Sequence, residues 1–143
     1  MLVRIRKEVQ ELPRSLSRAA TARAFIDAFN AQDLDALAAT IHPEVAIHAG
    51  RGLRTGIPAA RDWARRAPGG VQQLILLEGL RERDDRALAL ILREWWWDDE
   101  EESSAGPARV EEMAWLFGFR DGLIASWRPF DDRAEALAAL DAG

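Results

Sequence analysis

Residues 117–140, FGFRDGLIASWRPFDDRAEALAAL, decide the fold. An alternating apolar run ends at Asp121-Gly122, a pair typical of a two-residue hairpin turn, and a second alternating run follows it. Asp132 and Glu135 then stand at the spacing of a helix N-cap and its capping glutamate. The segment therefore predicts a strand, a tight turn, a second strand and a terminal helix.

The same alternation begins further upstream, at Val71. It predicts four long strands, at residues 71–83, 86–98, 108–120 and 123–130. Asp84-Asp85 marks the first turn and the looser stretch ESSAGP marks the second. Because the strands are consecutive, we expect an antiparallel meander.

The N-terminal half is patterned as helices. Residues 17–30 place Ala22, Phe25, Ile26 and Phe29 on one helical face. Asp33 is the predicted N-cap of a shorter helix with the apolar stripe Leu34, Leu37, Ala38 and Ile41, which ends at His42-Pro43. EVAIHAG is a predicted short strand, and GIPAARDWARRAPGG, with Pro58 near its start, is a predicted third helix.

These elements predict one α+β domain at residues 14–143, preceded by a separate N-terminal arm at residues 1–13 that Pro13 ends. We expect a long antiparallel sheet that curves around the N-terminal helices and encloses a cavity.

Composition excludes several classes of function. The chain has 143 residues, a net charge of -5 and no basic stripe, which argues against nucleic-acid binding. It has no cysteine and no apolar run of membrane-spanning length, and no apolar signal core follows the basic N-terminus, so we expect a cytoplasmic protein. Two histidines on separate elements predict no metal site, and the absence of a glycine-rich phosphate loop predicts no nucleotide cofactor.

The second long strand is apolar on both sides. One side carries Ala87, Ala89, Ile91, Arg93, Trp95 and Trp97, and the other carries Leu88, Leu90, Leu92, Glu94 and Trp96. The helices are expected to cover one side only, so the other side requires a second cover. We therefore expect a homodimer through the outer face of the sheet, with Trp96 facing the partner.

Three segments carry a family resemblance: FIDAFNAQDLDALAATIHPEVAIH, TGIPAARDW and residues 117–140, in this order. With them, the chain after Pro13 resembles the SnoaL-like branch of the nuclear transport factor 2-like superfamily. The resemblance implies a cone of helices inside a curved sheet, an apolar pocket and a dimer through the sheet. The members of this superfamily include ketosteroid isomerases, polyketide cyclases, limonene-type epoxide hydrolases and proteins without known chemistry. The resemblance therefore implies a fold rather than a reaction.

The catalytic positions that the resemblance carries over are mostly replaced. In the ketosteroid isomerase pattern, the tyrosine falls on Phe25, the general base on Ala49 and the oxyanion-hole acid on Trp115. In the epoxide hydrolase pattern, Arg93 matches the arginine, but the two aspartates fall on Trp95 and Pro129. An arginine alone cannot activate water because it has no basic site at working pH. We therefore expect neither of these two mechanisms.

The resemblance also implies which side chains line the pocket. The predicted ligand-binding residues are Phe25, Phe29, Ile47, Ile91, Arg93, Trp95, Met113, Trp115 and Trp127, with Ala89, Phe117 and Pro129 on the same faces. The alternative is that the tryptophans only fill a closed core, since burying each contributes up to about 4–6 kcal/mol. Arg93 either anchors a ligand carboxylate or carbonyl or is paired internally with Asp131, Glu111 or an acid of residues 98–102.

Three functions remain open on the sequence. The first is a pocket protein for a small apolar or aromatic molecule, with no assigned reaction. The second is a cyclase, isomerase or hydrolase acting on a polyketide-, steroid- or terpenoid-like substrate, with Arg93, Asp131 and His48 as candidate catalytic residues. Asp131 competes with Asp132 for the helix N-cap, and His48 points inward only if its strand is shifted by one residue. The third is a dimeric interaction module with a closed pocket.

Overall fold

The computed structural model describes residues 17–50, 52–65, 71–97 and 106–142. The predicted arm at residues 1–13 and the acidic run at 98–102 lie outside these ranges. These ranges contain ten elements: α1 Ser17–Ala31, α2 Leu34–Ala38, β1 Ile41–Ala49, β2 Gly52–Thr55, α3 Ile57–Ala64, β3 Val71–Arg83, β4 Arg86–Trp97, β5 Arg109–Arg120, β6 Leu123–Phe130 and α4 Arg133–Asp141. Within the described ranges, no helix is long and apolar enough to cross a membrane.

The strands form one six-stranded sheet in the order β2-β1-β6-β5-β4-β3. All neighbouring strands are antiparallel except β1 and β6, which are parallel. The four long strands confirm the meander that the alternation predicts. The β5–β6 turn has positive φ at both Asp121 (56°) and Gly122 (78°), the conformation that makes Asp-Gly a hairpin signal.

The junction between α2 and β1 differs from the prediction. The helix opens at Asp33, whose carboxylate accepts the Ala36 N–H at 3.0 Å, but α2 ends at Ala38 rather than at His42-Pro43. Ile41, His42 and Pro43 belong to β1, because β6 offers a parallel partner at Ile41↔Ile124. The pairing is irregular between Ile41 and Ala46, which accommodates a proline without an N–H. Strand β2, of four residues, was not predicted.

Two apolar layers hold the sheet. On its inner face, Phe25, Ile26 and Phe29 of α1 pack with Ile91 and Trp115 in the main core. On its outer face, α4 packs over β4, β5 and β6. The residues of this second core are Leu88, Ala114, Phe130, Ala136 and Leu140. Asp132 is the N-cap of α4, accepting the Ala134 N–H at 2.8 Å and the Glu135 N–H at 3.3 Å.

The premise that helices cover one face of the sheet only is therefore wrong. Leu88, on the outer face of β4, is fully buried under α4 within a single chain. Among the described residues, the part of the outer face that no helix covers lies toward the other end of β4, where Leu92 and Trp96 are partly buried. Leu76 and Val110, on the flanking strands, are 38% and 50% exposed. The outer surface that a partner could cover is thus smaller than the sequence alone indicates.

Candidate functional site

The interior of the sheet is filled by rings that come from four elements. We call these the aromatic cluster: Phe25 and Phe29 of α1, Trp63 of α3, Trp115 and Phe117 of β5, and Trp127 of β6. Helical spacing puts the two phenylalanines on one face of α1. Strand alternation puts Trp115 and Phe117 on one face of β5, where Phe117 pairs with Trp127. The inner-face positions expected for Phe25, Phe29, Trp115 and Trp127 are therefore those the structure shows.

The rings contact one another directly. The Trp63 and Trp127 centroids are 4.4 Å apart, and the Trp115 and Trp127 centroids are 5.3 Å apart, nearly perpendicular at 79°. Phe25 meets Phe117 at 5.3 Å, also edge to face. Such geometries are favourable for aromatic pairs. Ile47, Ile91 and Met113, three further predicted pocket residues, are buried in the same core.

Trp63 is the ring that the sequence analysis did not assign to this site. It stacks on Phe25 at 6.0 Å and contacts Phe29, Trp115 and Trp127, yet it is only partly buried. The signal was present in the sequence, because Ala60, Trp63 and Ala64 share one face of a helix. Since Ala60 and Ala64 are the buried residues of α3, Trp63 is the large side chain that this face directs at the cluster.

Two indole N–H groups in the cluster have no acceptor among the described residues. Trp115 and Trp127 are 2% and 4% exposed, and their Nε1 atoms have no hydrogen-bond partner in the described part of the chain. By contrast, the Nε1 of Trp95 donates to Glu111 at 2.7 Å and that of Trp96 donates to Glu94 at 3.0 Å. Most buried donors in native proteins are paired. The interior therefore offers two donors to any oxygen atom placed among its rings.

A set of four side chains, three of them charged, lies on the same inner face, toward the end of the sheet. We call it the mouth cluster: Arg93 and Trp95 of β4 with Arg109 and Glu111 of β5. The Oε1 of Glu111 accepts from Arg93 Nε at 3.0 Å and Trp95 Nε1 at 2.7 Å, and lies 2.9 Å from Arg93 Nη2. Its Oε2 lies 2.9 Å from Arg109 Nη2. Of the internal partners considered for Arg93, the structure thus provides Glu111.

The electrostatics of the mouth cluster favour an ionised Glu111. The Trp95 N–H that donates to its carboxylate is the largest cause of a lowered pKa, and Arg93 and Arg109 act in the same direction against the opposing effect of burial. The Arg93 guanidinium also lies over the Trp95 ring, 4.9 Å from its centroid, within the range of a cation–π contact. The side chains of Arg93 and Glu111 are 24% and 21% exposed, so the pair can be reached from solvent.

The candidate catalytic residues are not brought together. His48 is exposed, while its neighbour Ile47 is fully buried, so the imidazole lies on the outside as the alternation indicates. Asp131 is exposed beyond the end of β6, and no hydrogen bond or ion pair links it to Arg93 in the described ranges. His42 is engaged locally, since its Nδ1 accepts the Glu44 N–H at 3.0 Å.

Two tryptophans belong to neither the aromatic cluster nor the mouth cluster. Trp97, which the sequence places on the inner face, is 41% exposed at the end of β4. Trp96 lines a cleft of about 210 Å³ at the free edge of β3, together with Asn30, Gln72, Gln73 and Leu74. In this cleft the Asn30 carboxamide bonds both the N–H and the C=O of Ile75 at 2.8 Å, as a neighbouring strand would. The cleft is therefore distinct from the predicted pocket.

Comparisons with known proteins agree with the observed fold. The family model of the SnoaL-like domain matches residues 22–127, which is most of the 143-residue chain. No curated protein matches in sequence.

Three solved structures illustrate the likeness in fold. A putative polyketide cyclase from Xanthomonas campestris pv. campestris is 20% identical, with 88% of this chain and 98% of that chain covered and a TM-score of 0.68. An LEH-like epoxide hydrolase of M. tuberculosis is 19% identical, with coverage of 87% and 85% and a TM-score of 0.66. An NTF2-like protein of unknown function from Burkholderia pseudomallei is 18% identical, with coverage of 87% and 98% and a TM-score of 0.67. The α+β cone is thus the fold of this chain, and the chain belongs to the SnoaL-like domain family.

Proposed function

We propose that this SnoaL-like chain binds a small, mainly apolar or aromatic molecule that carries an oxygen atom, and that the molecule is bound within the aromatic cluster. The observation that supports this most is the pair of buried indole N–H groups of Trp115 and Trp127, which lack an acceptor in the described part of the chain. A ligand oxygen is the acceptor that suits them, because the surrounding phenylalanine and tryptophan side chains have no oxygen or lone-pair nitrogen to accept a strong hydrogen bond.

The energetics favour a binding role for these donors. A buried donor without an acceptor costs about 1–3 kcal/mol, so the two together cost about 2–6 kcal/mol. Phenylalanine would fill an apolar interior without that cost, as it does at Phe25, Phe29 and Phe117 in the same cluster. Two tryptophans are therefore costly as core filling, and a bound acceptor offsets the cost.

Trp63 is the natural point of entry to the cluster. It is the partly buried member, and it comes from a helix of eight residues. The side chains that tie α3 to its surroundings are mostly at the surface: Arg61 pairs with Asp35 at 2.8 Å and Arg54 with Asp62 at 3.3 Å. Because the Trp63 ring lies 4.4 Å from Trp127, its displacement uncovers both Trp127 and Trp115. We expect ligand binding to move Trp63.

The interior supports binding more than proton transfer. The aromatic cluster consists of phenylalanine and tryptophan, which have no side-chain base. The carboxylate on the same inner face, Glu111, has a lowered pKa and is already engaged by three side chains, which makes it a weak general base. For this reason we assign a ligand and no reaction to the chain.

The test is a ligand panel read by intrinsic fluorescence and by melting temperature. Aromatic acids, fatty acids and terpenoid ketones are titrated into the full chain. The expected result is a saturable change in emission for at least one oxygen-bearing class, with a higher melting temperature. Trp127→Phe should weaken that ligand several-fold because one donor is lost, while the matched variant Trp97→Phe, which removes an exposed indole, should not. Absence of any shift across the panel would leave the tryptophans as core filling.

A further inference from the structure

We infer that the ligand has two different ends: a neutral oxygen that the aromatic cluster binds and an anionic group that the mouth cluster binds, separated by roughly 13–20 Å along the sheet. This inference rests on the proposed function and names the class of ligand. The supporting observation is the register of β4 and β5, which places both clusters on one face of the same pair of strands.

The mouth cluster favours an anion. Arg93 and Arg109 contribute two positive charges and Glu111 one negative charge, so the cluster has a formal charge of +1. Glu111 engages the Nε and Nη2 of Arg93, and the Nη1 of Arg93 has no partner in the described ranges. With its guanidinium held by Glu111 and by the Trp95 ring, Arg93 presents this remaining nitrogen to a ligand oxygen. Glu111 is thus a positioning residue, which also limits the positive charge.

The spacing follows from the register. Arg93 pairs with Glu111, and Ala89 pairs with Trp115, four residues further along β5. Phe117, the partner of Trp127, lies two residues beyond that. At about 3.3 Å per residue, Trp115 and Trp127 lie roughly 13 and 20 Å from the mouth cluster at the level of the backbone. Ile91 and Met113 pair with each other between the two clusters and are both buried, which gives the middle of the ligand an apolar floor.

The two ends are not interchangeable. An ionised group among buried rings is unfavourable unless a countercharge accompanies it, and the two indoles supply donors without charge. A carboxylate therefore belongs at the partly exposed mouth, beside the arginines. A hydroxyl or carbonyl oxygen belongs in the interior, where it accepts from an indole N–H. The ligand class is an apolar acid with a distant neutral oxygen.

The experiment is a chain-length series measured by calorimetry on the full chain. Plain fatty acids from hexanoate to octadecanoate are compared with ω-hydroxy acids of the same length, and with the corresponding alcohols that lack the carboxylate. The hydroxyl group should tighten binding by roughly threefold to tenfold, the range of one net hydrogen bond, only where the span between the two oxygens reaches about 13–20 Å. In shorter acids the hydroxyl group cannot reach the indole N–H groups, so it should weaken binding.

Variants separate the two ends. Arg93→Met should remove the preference for acids over alcohols, whereas Glu111→Gln, which deletes a negative charge but retains an acceptor, should strengthen acids and leave alcohols unchanged. Trp115→Phe or Trp127→Phe should abolish the gain from the hydroxyl group, and Trp97→Phe should preserve it. If acids bind without a length-dependent hydroxyl gain, or with no response to Arg93→Met, the two-ended ligand is refuted and the proposed function stands. If no member of the series and no member of the panel binds, both fail.

Discussion

Arg133 is predicted to add strongly to the apolar contacts that hold α4 on the sheet, and Arg133→Met tests this. Its Nη2 donates to the Ile91 carbonyl at 2.7 Å and its Nε to the Met113 carbonyl at 3.2 Å, so it bridges β4 and β5 from the first turn of the helix. The side chain is 26% exposed. Methionine retains most of the apolar stem, so the substitution removes the hydrogen bonds with little change in volume.

The expected loss of unfolding free energy is about 3–4 kcal/mol. Two hydrogen bonds from a charged donor contribute about 1.5–3 kcal/mol each and are not fully additive. The ion pairs of Arg133 with Glu78 and with Glu112, whose side chains are 41% and 72% exposed, add no more than about 1 kcal/mol. Urea unfolding at neutral pH measures the difference.

The matched control is Arg83→Met, which also breaks an arginine contact between the sheet and α4. Arg83 pairs with Asp141 at 3.4 Å, and its side chain is 53% exposed, so its loss should cost less than about 1 kcal/mol. If Arg133→Met and Arg83→Met unfold at the same urea concentration, the carbonyl contacts do not hold the helix. The apolar contacts of Ala136 and Leu140 would then account for the position of α4 over Leu88.

Two further predictions concern the partner surface and the mouth cluster. We propose a homodimer through the uncovered outer face; sedimentation should give twice 16.0 kDa at micromolar concentration, and Trp96→Glu should give a monomer, whereas a monomeric wild type would refute this proposal. The pKa of Glu111 is lower in the folded chain than in the unfolded chain. Its ionised form therefore stabilises the fold at a pH above the unfolded-state pKa, and this stabilisation is lost as the pH falls through the folded-state pKa. The stability difference between wild type and Glu111→Gln should therefore be constant near neutral pH and shrink in acid below about pH 4; a constant difference throughout would contradict it.

Local signals in the sequence predicted the meander and the terminal helix. Strand alternation gave β3 to β6 to within one residue, because each strand has one face on the core, and Asp121-Gly122 fixed the register of the last hairpin. The junction before β1 could not be predicted, because Ile41 continues a helical stripe in sequence. Its strand conformation depends on pairing with Ile124, which is distant in the chain.

The placement of side chains on the inner face was predicted in part. The family resemblance placed Trp115, Trp127 and Ile91 on the inner face, and the structure shows them there. The contact of Trp63 with Trp127 joins α3 to β6, which no short-range pattern reveals. Likewise, the position of α4 over Leu88 depends on how an alanine-rich helix folds back on the sheet.

The most direct test of the central claim is the ¹H–¹⁵N spectrum of the tryptophan indoles, recorded with and without the tightest ligand of the panel. The six indole N–H resonances are assigned by single Trp→Phe variants. Bound ligand should move the Trp115 or Trp127 resonance downfield and slow its exchange with solvent, because a buried donor has gained an acceptor, while that of Trp97 stays in place. A ligand that binds tightly and leaves both Trp115 and Trp127 unchanged would contradict the account.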